Sequence, residues 1–196
     1  MAMPKIAIIV STTREGRFGD KPAQWIFGLA KARETAGFEI VDLRDYPLPI
    51  FNEPVAPAYA TPKNEVAQRW GNKLAEFDGY IFVTAEYNRS VPGVLKNALD
   101  HVYPQFNRKP IAFVGYGGVG AARAVEHLRL ILVELQAAPL RNGVHIGRAE
   151  FVGMLQQGKT FADYPYLEQS ANVLLDDLLW WTNTLKAGRE ASSLDA

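Results

Sequence analysis

Three short segments of this chain combine residue types that can hold a ligand, and each follows an apolar run. The first is Ser11-Thr12-Thr13-Arg14-Glu15-Gly16-Arg17-Phe18-Gly19. It offers hydroxyls, two guanidinium groups and two glycines where a helix is expected to begin. Free backbone N–H groups and the positive end of a helix dipole attract phosphate, and an arginine can bind two oxygens at once. The spacing is not that of a P-loop, and a polar turn with solvated arginines is the plainer reading of this segment alone. The second segment runs from Thr84 to Asp100, with Ala85, Glu86, Tyr87, Asn88, Arg89 and Ser90 ahead of Pro92. An aromatic ring can lie against a flat heterocycle while backbone amides reach its polar edge. A turn capped by Asn88 or Ser90, with Tyr87 as surface cover, fits the same residues. The third, Gly115-Tyr116-Gly117-Gly118-Val119-Gly120, satisfies G-x-G-x-x-G between a strand and a helix. A Rossmann site would want that motif after the first strand, with an acidic residue about 20 positions on. Here it follows the fourth strand, and the neighbourhood is Pro139-Leu140-Arg141. Its glycines are expected instead to let backbone approach a planar ring closely.

The elements that would position these loops alternate in type. Ile6–Val10, Tyr80–Val83 and Ile111–Val114 are continuous apolar runs rich in β-branched and aromatic residues, the pattern of strands covered on both faces. Phe38–Leu43 reads as a second strand and Gly143–Ile146 as part of a fifth. Between them, Asp20 can cap a first helix that runs to about Ala36 and stops at Gly37. Pro62 opens a second helix that ends before Asp78-Gly79, and Pro92 starts a third reaching about Val102. A fourth helix puts Ala124, Leu128, Ile131 and Leu135 on one face, and a fifth does the same with Leu167, Ala171, Leu174, Leu178 and Leu185. These stripes are packing surface. Five β-α units joined by right-handed crossovers make a three-layer, doubly wound α/β fold with a five-stranded parallel sheet. In such a sheet a ligand sits at the carboxyl ends of the strands where the winding reverses, between the first and third. That rule selects the same three loops. The stretches Tyr46–Thr61 and Gly147–Pro165 read as irregular cover or as contacts with a partner subunit.

Composition narrows the function classes. The 196 residues suit one domain, residues 1–196, with a core over about 5–187 and a flexible tail over 188–196. Twenty-one basic residues cancel twenty-one acidic ones, which leaves no global field to draw in nucleic acid or an anionic membrane. With no cysteine there is no disulfide, thiolate catalysis or Cys-based metal site, which fits a reducing, cytoplasmic setting. No apolar run approaches the roughly 18 residues of a membrane span. His101, His127 and His145 have no metal-like spacing.

Taken together, the loops resemble the NAD(P)H-dependent FMN reductase family, whose members include quinone, chromate and azo-dye reductases. The family pattern P-E-Y-N-x-S-x-P-G-x-L-K-N-A-I-D is matched by Glu86-Tyr87-Asn88, Ser90, Pro92-Gly93, Leu95-Lys96-Asn97-Ala98 and Asp100. Its G-S-x-R phosphate loop is matched through Thr12 and Arg14, and its glycine loop by Tyr116-Gly117-Gly118, Gly120 and Arg123. Ser11 stands where the family has glycine, Ala85 where it has proline, and His101 where an aromatic residue is common.

The resemblance implies a flavodoxin-like fold with strand order 2-1-3-4-5 and bound FMN. NAD(P)H is the implied co-substrate and a small planar molecule the acceptor. Hydride would pass from the nicotinamide to the flavin and then to an acceptor stacked in the same place, the cofactor supplying the reactivity. No side chain is expected to act as a catalytic acid or base. The flavin-binding set implied is Ser11, Thr12, Thr13, Arg14, Arg17, Phe18 and Gly19, then Ala85, Glu86, Tyr87, Asn88 and Ser90, then Tyr116, Gly117, Gly118 and Gly120. A homodimer or homotetramer is expected, partly because Trp180 and Trp181 are adjacent on a helix and one core face cannot easily bury both. The rivals are a flavodoxin-type electron carrier with a protein redox partner, which zero net charge disfavours, and a cofactor-free module that retains only the fold.

Overall fold

The computed structural model describes residues 2–194. Five strands, β1 (Lys5–Val10), β2 (Gly37–Asp42), β3 (Gly79–Ala85), β4 (Pro110–Tyr116) and β5 (Ala138–Ile146), form one sheet. The order is β2-β1-β3-β4-β5 and every pairing is parallel, which is the flavodoxin-like arrangement. β1, β3 and β4 are apolar at both alternating positions because both faces of the sheet are covered. Ile6, Ile8 and Val10 pack into the core shared with α1 (Asp20–Lys31) and α6 (Pro165–Leu194). Ala7 and Ile9 point the other way, toward α2 (Glu65–Ala75), α3 (Gly93–Asp100) and α4 (Ala122–Glu134).

Several boundaries differ from the sequence expectation, each for a local reason. Asp20 is the first residue of α1, with Gly19 at the N-cap position and no side-chain cap. Its carboxylate is taken by Arg17 instead. The helix ends at Lys31, short of Ala36, and Glu34 then adopts a left-handed backbone, φ 54°. Helix α2 starts at Glu65, not Pro62, because the Asn64 side chain accepts from the N–H groups of Val66 and Ala67 at 2.9 and 3.1 Å. Pro92 takes the N-cap position of α3, which ends at Asp100. On α4, Ala124 and Leu128 are buried as expected while Ile131 is only partly so.

The stretch Gly147–Pro165 is not irregular: it holds helix α5 (Arg148–Gln156) and a single 3-10 turn, Phe161–Asp163. Helix α6 buries Leu167, Ala171, Leu174 and Leu178 and leaves Leu185 half-buried. It continues through 188–194, where a flexible tail was expected. Arg189 explains the extension, since it donates to the Arg108 carbonyl at 2.7 Å and to Asp78 at 2.9 Å. Residues 195–196 of that expected tail lie outside the described residues. Trp180 and Trp181 are both exposed and meet edge to face at 5.3 Å. No helix among the described residues is long and apolar enough to cross a membrane.

Candidate functional site

Register brings the three loops side by side. Val10 pairs with Val83, and Val83 with Val114, so β1, β3 and β4 end in one row at the carboxyl edge of the sheet. Adjacent strands are about 4.8 Å apart, which sets the loops that follow within reach of a single small ligand.

The first loop leaves β1 through Ser11, whose hydroxyl and N–H both donate to the Val83 carbonyl, at 2.8 and 3.1 Å. Serine in the usual glycine position is therefore a second tie between β1 and β3. Thr12 is fully buried, and its hydroxyl shares a 3.1 Å hydrogen bond with the Tyr116 phenol of the third loop. Burial pushes the Tyr116 phenol up to about 12 even though the Thr12 bond acts the other way, so it stays neutral. Arg17 does not face solvent. Its Nε donates to Asp20 at 2.8 Å, and one terminal nitrogen donates to Asp42 at 2.7 Å and also to the Thr12 carbonyl. Burial opposes its charge, but the bonds to Asp42 and Asp20 outweigh it and hold the guanidinium firmly protonated. Arg44, just past β2, donates to the carbonyls of Thr13 (3.4 Å) and Arg14. Arg14 itself is exposed, and its guanidinium lies 5.8 Å from the centroid of the Tyr87 ring. Gly19, the N-cap of α1, lies against Tyr116: a Cβ there would lie 2.8 Å from the phenol oxygen.

The second loop is a tight hairpin. Tyr87 and Ser90 exchange both backbone hydrogen bonds, at 3.0 and 3.1 Å, across Asn88 (φ 48°) and Arg89 (φ 72°). Two central residues with positive φ define a type I′ turn, which Asn favours and Arg does not. Ser90 also shares a 3.1 Å hydrogen bond with His127 Nδ1. The Glu86 carboxylate turns toward the start of α4. Its carboxylate accepts from the N–H groups of Arg123 and Ala124, at 3.2 and 3.4 Å, and from Arg123 Nε at 2.6 Å. Those N–H groups are the ones an N-cap side chain would satisfy in α4, and Ala121 at the N-cap position has none to offer. Glu86 is thus the remote cap that fastens the second loop to the third. Burial works to raise its pKa, and the Arg123 partner holds it below the usual carboxylate range.

The third loop folds back onto β5. Gly120 has φ 64°, a Cβ on it would lie 2.9 Å from His145 Cβ, and its carbonyl lies 2.8 Å from His145 Nδ1. His145 and His127 thus support loops, and His101 hydrogen-bonds the Pro49 carbonyl at 3.0 Å.

Between the loops is a cleft of about 390 Å³. Arg14, Glu15, Gly16, Arg17 and Phe18 form one side; Ala85, Glu86 and Tyr87 the second; Tyr116, Gly117 and Gly118 the third. A Cβ added at Gly117 or Gly118 would meet no protein atom within 4 Å, so bare backbone faces the opening. The remaining candidates do not line it. Ser11, Thr12 and Gly19 are buried behind the loop, and Thr13, Asn88, Ser90 and Gly120 stand outside the lining. Two lining residues went unrecognised in the sequence, Phe151 and Leu155 of α5. Their four-residue spacing was the available signal. Phe151 packs edge-on against Phe18 at 4.8 Å and parallel to Tyr116 at 6.4 Å. The result is an apolar wall opposite a polar loop, suited to a planar ligand that carries an anionic group. A larger cavity, about 500 Å³, lies on the α3 side between Leu43–Ile50 and Val94–Ala98. Its one lining cation, Arg44, is engaged on backbone carbonyls, and it has no comparable run of bare backbone.

Comparison with known proteins identifies the family and the fold. The family described as NADPH-dependent FMN reductase matches residues 4–150. An NAD(P)H-dependent FMN reductase of Schizosaccharomyces pombe is 35% identical over 153 residues, 76% of this chain and 76% of that protein. A 2-hydroxy-1,4-benzoquinone reductase of a Burkholderia species is 36% identical over 132 residues, 64% of this chain and 68% of that protein. Among solved structures, the flavoenzyme NAD(P)H:(acceptor) oxidoreductase of Paracoccus denitrificans shares the fold. Its TM-score is 0.69 over 92% of this chain and 98% of that one, at 22% identity.

Proposed function

The chain belongs to the NADPH-dependent FMN reductase family, and from that premise we propose that it passes two electrons from NAD(P)H, through FMN, to a small planar acceptor such as a quinone, a free flavin or an azo compound. The observation that carries the reading is the cleft itself: one polar loop with an exposed arginine, one wall of aromatic rings, and bare glycine backbone between them. When bound, FMN supplies the hydride acceptor and donor, which protein side chains lack. Arg14 and the N–H groups of the first loop would hold its phosphate. Tyr87 and the Gly117–Gly118 backbone would flank the ring, the backbone amides favouring negative charge at its edge. Phe18, Tyr116 and Phe151 would exclude water from the apolar side. No side chain is assigned as acid or base.

Flat aromatic surface and backbone amides bind planar molecules by stacking, which discriminates poorly among them. Strong selection needs buried polar groups that a wrong ligand leaves unpaired, and the buried charges in the lining, Arg17 and Glu86, are already paired within the protein. Donor and acceptor would use the same flavin face and exclude each other. The test is initial-rate kinetics against NAD(P)H and a panel of quinones, flavins and azo dyes. Parallel lines and activity across the panel are expected. Intersecting lines, or activity with a single acceptor, would overturn the shared-site reading. A flavodoxin-type carrier would show no rapid NAD(P)H oxidation with any of them.

The proposal extends to a cytoplasmic homo-oligomer, a dimer or a dimer of dimers. Support comes from the cysteine-free composition and from exposed apolar side chains, Trp180 among them at 61% exposure. A monomeric mass in light scattering at micromolar concentration would refute the assembly.

A further inference from the structure

A loop that binds an anion through its backbone must turn its N–H groups toward the anion and its carbonyls away. Each trans peptide unit points its C=O and N–H in opposite directions. Fixing the carbonyls of residues 12–14 therefore fixes the N–H groups of residues 13–15 on the other side. In this chain all three carbonyls are captured by arginines. Arg17 takes the Thr12 carbonyl, and Arg44 takes those of Thr13 and Arg14. Among the described residues, the N–H groups of 13–15 meet no acceptor. Successive N–H groups left free on one side of a loop form an anion-binding nest.

Both arginines are held in turn by one carboxylate at the end of β2. Asp42 accepts from two Arg17 nitrogens and from the Arg44 backbone N–H at 2.9 Å. It sits beside Val10 in the sheet, one residue from where the loop begins. Bonds to Arg17 and to the Arg44 backbone keep it ionised against the burial that opposes charge. We propose that Arg17 and Arg44, oriented by Asp42, are positioning residues that pre-set the first loop as a phosphate nest by drawing its carbonyls toward β2. Neither guanidinium need touch the phosphate; each acts through the backbone it holds. The inference rests on the reading of the first loop as the site of the FMN phosphate.

FMN and riboflavin share the ring and differ in the phosphate, so their affinity ratio isolates this role. Each is titrated into flavin-free protein and followed by quenching of flavin fluorescence. Wild-type protein is expected to prefer FMN by tenfold or more, as charge-assisted hydrogen bonds to a phosphate would give. Arg44 is exposed, and Arg44→Ala should weaken FMN about tenfold while changing riboflavin less than about twofold. Arg44→Lys should fall between, because one ammonium cannot span two carbonyls as a guanidinium does. This variant carries the same test should the alanine form fail to fold. An unchanged FMN-to-riboflavin ratio in the variants, whether both affinities fall or neither does, overturns the positioning role and leaves the phosphate site standing. A wild-type protein that binds both flavins equally overturns the phosphate reading and the inference with it.

Discussion

At the amino end of the sheet, Asp78 accepts from Lys186 at 3.0 and 2.9 Å, from Arg189 at 2.9 Å and from the Lys5 N–H at 3.1 Å. At the carboxyl end, Arg17 and Arg44 reach past their carboxylates to backbone carbonyls, and Arg14 lies over the Tyr87 ring and meets no carboxylate among the described residues. The residue types are the same and the outcomes differ. At the base, Lys186 and Arg189 converge on the Asp78 carboxylate and Lys109 on the Tyr80 ring, which ties α6 to the starts of β1 and β3. At the top, two cations are spent on shaping a loop and a third is left over. The first arrangement can only hold the fold together, whereas the second leaves donors for something the protein does not itself contain. Ion pairs between packed elements and cations at loop edges therefore carry different expectations for mutation.

The largest effect should come from the base. Asp78→Ala removes the acceptor that Lys186, Arg189 and a backbone N–H share in a mostly buried setting. It should cost about 2–4 kcal/mol of stability, read from the midpoint of urea unfolding, with FMN affinity unchanged. The pH dependence has a definite sign. Burial works to raise the Asp78 pKa, but the Lys186 bond and its neighbours hold it below the ordinary value. Its contribution is therefore present above the unfolded carboxylate pKa and is lost as pH falls through the lower folded value. The stability gap between wild type and the variant should close in acid; a gap constant down to strongly acidic pH would break the comparison.

Next is Arg14→Ala, the mirror experiment at the top. FMN binding should weaken by about 1.5–3 kcal/mol, the loss of a charged hydrogen bond. Unfolding should hardly change, because an exposed loop side chain supports no packing. Unchanged affinity would move the phosphate contact away from Arg14, and the Arg17 guanidinium, committed to Asp20 and Asp42, is poorly placed to replace it.

The smallest effect sharpens the picture of the base. Lys109 is nearly buried, donates to the Tyr80 hydroxyl at 3.2 Å, and has its pKa pushed down to about 8, first by burial and then by the nearby Arg189. A lysine with a lowered folded pKa penalises folding while it is charged, and the penalty fades as pH rises from about 8 toward the unfolded value near 10.4. Lys109→Met should therefore stabilise the protein by roughly 1–2 kcal/mol at pH 7 and by less at pH 10. Destabilisation at both pH values would show that the Tyr80 contact outweighs the burial of charge.

Much of this was legible in residue order. The runs Ile6–Val10, Tyr80–Val83 and Ile111–Val114 are β-branched and bounded by turn residues, so strand identity and the three loops follow from pattern alone. Glu86 was legible as a member of the site but not as a cap. Nothing within four residues of it hints that the N–H groups of Arg123 and Ala124, 37 and 38 positions on, lack a local cap. Asp42 and Arg44 escaped notice for the same reason, since their work depends on the β1–β2 register. Phe151 and Leu155 were missed because a nine-residue helix with mixed polarity gives little periodic signal against flanking glycines. Short-range chemistry shows in sequence, while side chains that act on distant backbone show only once the sheet is assembled.

The central claim is that the cleft at the carboxyl edge holds FMN. Its most direct test is the visible spectrum of the purified, FMN-saturated and desalted protein, followed by mass identification of the flavin released on denaturation. The account predicts an oxidised-flavin spectrum and one FMN per chain. A protein that stays colourless after incubation with FMN, or that retains FAD as its stoichiometric flavin, would contradict it.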